Sequence, residues 1–89
     1  MKVRNDDLGK LNALKLDLLA PPYSFRLGSI ASKYIDDTIE VISKYIDGGN
    51  SYVDRLNEIK ADITSSSDMT AIKKLCKDAA AIIIDFTAV

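Results

Sequence analysis

The sequence contains no histidine, and this absence excludes more chemistry than any other feature of the chain. Histidine is the usual general acid or base near neutral pH and the commonest transition-metal ligand, so triads of the Ser-His-Asp or Cys-His kind cannot form. Cys76 is the only cysteine, which rules out an internal disulfide and with it a stapled secreted miniprotein. The longest apolar run, Ala79 to Ile84, falls far short of the roughly 20 residues that cross a bilayer. Lys2, Arg4, Asn5, Asp6 and Asp7 at the N-terminus lack the apolar core of a signal peptide, so a soluble, cytoplasmic protein is expected. The net charge of −1 argues against nucleic-acid or anionic-membrane binding, both of which draw affinity from clustered basic groups.

The clearest positive signal lies between Leu27 and Asp47. Wound at about 100° per residue, Leu27, Ile30, Ala31, Tyr34, Ile35, Thr38, Ile39, Val41, Ile42, Tyr45 and Ile46 fill one half of a helix, and charged and serine residues fill the other. An arc that wide exceeds what one neighbour covers, so this second helix is expected to be central, with several others around it.

Three further helical patterns surround it. The first runs from about Asp6 to Leu19, capped by Asn5 or Asp6, with Leu8, Leu11, Leu14, Leu18 and Leu19 on one arc. The alternation in Leu14-Lys15-Leu16-Asp17-Leu18 also allows a strand there. Pro21 and Pro22 end this element, because Pro21 forces Ala20 out of helical geometry. The second helix is expected from about Phe25 to Ile46, with Ser24 as cap unless Gly28 delays its start, and Gly48-Gly49-Asn50 as its stop. The third begins at Asn50 or Ser51 and carries the narrow stripe Tyr52, Leu56, Ile59 and Ile63, as an edge helix with one neighbour would. The fourth starts at the cap Asp68, ends near Phe86 and has a broad face containing Ile72, Cys76, Ala79, Ala80 and Ile83. With such short loops the neighbours should run antiparallel. The expected fold is therefore all-α, a single domain over residues 1–89: a small four-helix bundle or irregular helical cluster with a central second helix.

No grouping of residues points to catalysis. Asp36, Asp37, Glu40 and Asp47 are the densest carboxylates, but the spacing Lys33 to Asp37 and Glu40 to Lys44 suits ordinary surface pairs. Cys76 sits on the apolar arc of the fourth helix, where a thiol acts as a small hydrophobe. Arg55, Lys60, Lys73, Lys74 and Lys77 are the only basic concentration. Tyrosine offers an apolar body with a polar tip. Tyr34 and Tyr45 fall on the core arc, whereas Tyr23 and Tyr52, at helix ends, are better placed to meet a partner. Leu16 and Ile84 fall off their helices' stripes, and Ile39 lies at the margin of its own. These residues suggest more apolar surface than one small bundle hides. Leu16, Tyr23, Ile39, Tyr52 and Ile84 are accordingly the candidate partner-binding residues, with no catalytic, metal or cofactor residue named.

Two local resemblances add to this. Ile30-Ala31-Ser32-Lys33-Tyr34-Ile35-Asp36, followed by Ile72-Lys73-Lys74-Leu75 and Ala79-Ala80, resembles the helical pattern of phage head-tail connector proteins. Lys77-Asp78-Ala79-Ala80-Ala81-Ile82-Ile83-Ile84-Asp85-Phe86 is similar to the C-terminal helix of type III secretion needle subunits. Each covers less than half of the chain, and each implies a structural subunit of an assembly. The expected function is a non-enzymatic interaction module, an oligomeric assembly or adaptor subunit that meets itself or another protein. The alternative is a small inhibitor or immunity-type protein that blocks a larger partner.

Overall fold

The computed structural model describes residues 3–22, 24–45 and 51–88. Among them the chain forms four helices and no strand: α1 (Asn5–Leu19), α2 (Leu27–Ile42), α3 (Ser51–Ser65) and α4 (Met69–Thr87). The alternating leucines of the first segment are helical. Burial of Leu11 and Leu18 on one face, at helical spacing, overrides the period-two pattern.

Up-down-up-down order follows from what meets at each end. Tyr45, just past α2, hydrogen-bonds to Arg4 and Asp7 at the start of α1, and its ring packs on Phe86 near the end of α4. Tyr52, in the first turn of α3, reaches the same Phe86 ring. At the opposite end, Gly28 at the start of α2 faces Ile72 at the start of α4. Successive helices are therefore antiparallel, as the short connections require.

Helix α2 packs against the other three, as its wide apolar arc demands, and α4 does the same. The two share the short diagonal of the bundle, where the fully buried Ala31, Ala79 and Ala80 permit close approach. Helices α1 and α3 take the remaining corners, with no approach between them among the described residues. Two neighbours thus flank α3 rather than the expected one, and Val53, off the stripe, is also half-buried against the core.

The helix ends differ from expectation in three places. Arg4, not Asn5 or Asp6, is the N-cap of α1 and gives no side-chain cap, and the Tyr45 hydroxyl accepts its backbone N–H instead. Helix α2 starts at Leu27 because the Ser24 hydroxyl accepts the Arg26 N–H at 3.1 Å, closing a turn ahead of the helix. At its other end α2 stops at Ile42 and passes into a turn through Tyr45; the expected Ile46 end and the Gly48-Gly49-Asn50 stop lie outside the described residues. Asp68 caps α4 as expected, accepting the Thr70 N–H at 3.0 Å. Ala20, ahead of Pro21, leaves helical geometry at φ −135° and ψ 66°.

The core joins Leu11 and Leu18 of α1, Ile35 and Ile42 of α2, Leu56 and Ile63 of α3, and Cys76, Ile83 and Phe86 of α4. Thr38 is its one fully buried polar side chain among the described residues, and its hydroxyl donates to the Tyr34 carbonyl at 2.8 Å. Replacing a fully buried core residue should be costly. In urea denaturation followed by circular dichroism, Ile83→Ala is expected to lose about 2–5 kcal/mol, whereas exposed Leu16→Ala should change stability by less than about 0.5 kcal/mol.

Candidate functional site

Two surface features stand apart from the core. The first is a polar cluster where α1 begins and α2 ends. Asp7 is only 6% exposed and accepts hydrogen bonds from the Tyr45 hydroxyl and, at 3.3 Å, from Lys44 Nζ. Its place in the first turn of α1 also suits a negative charge, since the helix N-terminus carries partial positive charge. The Tyr45 hydrogen bond, with Lys44 adding to it, holds the Asp7 carboxyl below its ordinary 3.8. The same bond raises Tyr45 above its ordinary 10.0, because the neutral phenol is the donor. Lys44 thus leaves its expected partner Glu40 for a carboxylate on the neighbouring helix.

Two further ion pairs lie on the surface. Lys33 meets Asp37 at 3.3 Å on α2, as the spacing predicts, and Lys60 of α3 reaches Asp36 of α2 at 2.6 Å. One basic residue of the group noted in the sequence is therefore taken up in tying two helices together. A shallow cleft between α1 and α2, about 330 Å³ and lined in part by Lys10, Leu14, Glu40 and Lys44, opens to solvent. Cys76 lies fully buried, and burial pushes its thiol up from 9.0, which keeps it in the unreactive protonated form.

The second feature is apolar. Phe25 is 90% exposed, Leu16 62%, Ile84 47% and Leu19 44%. Phe25 stands at the apex of the turn closed by Ser24, and the Arg26 guanidinium lies 5.7 Å from the centre of its ring. Leu16 stands about 140–160° round α1 from the buried Leu11 and Leu18, on the outer face of the helix. Ile84, about 160° round α4 from the buried Phe86, faces outwards. Leu16 and Leu19 lie towards one end of the bundle and Ile84 towards the other, because α1 and α4 are antiparallel.

The remaining candidates sit elsewhere. Ile39 is half-buried against the core, and Tyr52 is half-buried with its ring edge-on to Phe86, centroids 5.5 Å apart. Tyr23 lies outside the described residues. Tyr34 and Tyr45 both pack partly against the core. Sequence reasoning missed Phe25 and Leu19. Two residues before Leu27, Phe25 falls on the side of α2 opposite its stripe, and that offset was the available signal. Leu19 belongs to the apolar arc of α1 but lies in its last turn, where it stays partly exposed.

Comparison with family models, with curated proteins and with solved structures finds no match to this chain. No helix among the described residues is long and apolar enough to cross a membrane.

The Asp7 cluster gives stability a defined pH dependence. The contribution of a carboxylate whose pKa is lowered on folding is fully present above its ordinary 3.8 and is lost as pH falls through the lower folded value. Thermal melts between about pH 2 and pH 6 should show this acid-side loss in the native chain. It should move to higher pH in Tyr45→Phe, where the first donor to Asp7 is gone, and shrink in Asp7→Asn.

Proposed function

We propose that this chain is a non-enzymatic protein–protein interaction module of the cytoplasm, an assembly or adaptor subunit that binds through apolar surface beside α1. The observation that carries this reading is Phe25, an aromatic side chain left 90% exposed in a bundle that buries its other phenylalanine completely. A small domain gains about 1.5–3 kcal/mol by burying such a ring, so a ring held outwards by a dedicated turn is best explained by burial against something else. Arg26 beside it adds a second residue type that recurs at the energetic centre of interfaces. Leu16 and Leu19, on the last turns of α1 just ahead of that turn, are exposed apolar side chains at the same end of the bundle.

The test combines light scattering with affinity capture from the native host. The native chain should either exceed the monomer mass or retain a partner. Phe25→Ser together with Leu16→Ser should weaken that association by roughly 10-fold or more while circular dichroism stays unchanged. A lone monomer that retains nothing at high concentration would remove the basis for this reading.

A further inference from the structure

We infer that the outer face of α1 is a self-recognition surface, on which a second copy of this chain docks its own α1 in antiparallel orientation. This rests on the interaction-module reading and names its partner.

The face consists of Asn5, Gly9, Asn12, Leu16 and Leu19, spaced four, three, four and three residues apart, and all five are exposed. That spacing is the seam by which one helix packs lengthwise on another. None of the five is charged, and the charged residues of α1, namely Asp6, Asp7, Lys10, Lys15 and Asp17, all lie off the seam. A helix laid along it therefore strips no ion of water, which is the usual penalty at such contacts. With a net charge of −1, two copies also repel each other little at long range.

Gly9 supplies the independent observation. Glycine weakens a helix interior, and this one lies well inside α1 where, apart from its own neighbours and helix backbone, nothing comes within 4 Å of the position a Cβ would take. The chain's own packing thus gives no reason for it. On the seam it leaves a hollow one turn from Asn12, while Leu16 and Leu19 project as knobs at the other end. Antiparallel pairing sets the knobs of each copy over the hollow of the other, with the Asn12 residues near the twofold axis. Parallel pairing would set leucine on leucine and leave both hollows empty.

The same orientation carries Leu19 and the Phe25 turn of one copy towards the first turns of the other's α1. Leu16, Leu19 and Phe25 together present roughly 350 Å² per copy, so with Asn5, Gly9 and Asn12 the pair approaches the lower limit of about 1,000–1,200 Å² for specific interfaces. The dimer is accordingly a weak one, with dissociation in the micromolar range or above.

Sedimentation equilibrium on the native chain should show concentration-dependent mass rising towards twice the 9.8 kDa monomer. Leu16→Glu should abolish the rise. Gly9→Gln should raise the thermal midpoint of the monomer, by about 2–5 °C, yet weaken association at least roughly 10-fold. Opposite signs from one substitution are not produced by damage to the fold. Nitroxide labels at Asn12→Cys should lie roughly 15 Å closer across the dimer than labels at Asn5→Cys, given about 1.5 Å of rise per residue, and the fully buried Cys76 stays unlabelled. Equal distances at the two positions, or a dimer untouched by either substitution, overturn the antiparallel α1 pairing. A monomer at every concentration that still retains another protein overturns it too, while leaving the interaction-module reading intact. A monomer that retains nothing overturns both.

Discussion

The structure depends on a mismatch between its helices: two carry apolar arcs too wide for one neighbour, and two carry narrow ones. Four rods packed as a bundle offer two positions across the short diagonal, each touching three others, and two corners, each touching two. The wide arcs of α2 and α4 are satisfied only on the diagonal, and the narrower stripes of α1 and α3 only at the corners. Ala31, Ala79 and Ala80 let the diagonal close. Topology, core membership and the identity of the outward-facing surface all follow from that assignment.

One end of the bundle is fastened by a residue that serves three helices. Tyr45 places its ring against Phe86 of α4 and its hydroxyl between Arg4 and Asp7 of α1, while its backbone continues from α2. The amphipathic character of tyrosine makes this possible, since one side chain contributes to an apolar cluster and satisfies a buried carboxylate. At the opposite end the prolines and the Ser24 turn shape the connection, and the exposed ring of Phe25 stands on it.

The apolar surface and the fold are linked through α1. As a corner helix it buries little beyond Leu11 and Leu18, so much of its circumference is released from the demands of the core. Charge fills one part of that released surface, and the uncharged seam from Asn5 to Leu19 fills another. A helix with this division can be held by its own chain on one side and offer recognition on the other, which suits a protein whose lack of histidine leaves it little acid-base chemistry near neutral pH.

Periodicity, caps and breakers act within a few residues of one another, so the sequence by itself determined the helical class, the wide arcs of the second and fourth helices, the proline stop after Ala20, the Asp68 cap and the exposure of Leu16 and Ile84 off their stripes. Interactions between residues distant along the chain were decided only by the tertiary structure. Lys44 reads locally as a partner for Glu40, yet it lies beside Asp7 once α1 packs against α2, and the buried carboxylate draws it across. Tyr45 reads as core, but its hydroxyl finds Asp7 only because the ends of α1 and α2 coincide. Phe25 reads as the first turn of a helix, and the Ser24 turn leaves it outside. Leu19 belongs to an apolar arc but stays exposed in the last turn of its helix, because burial depends on which neighbours are present and not on the stripe alone.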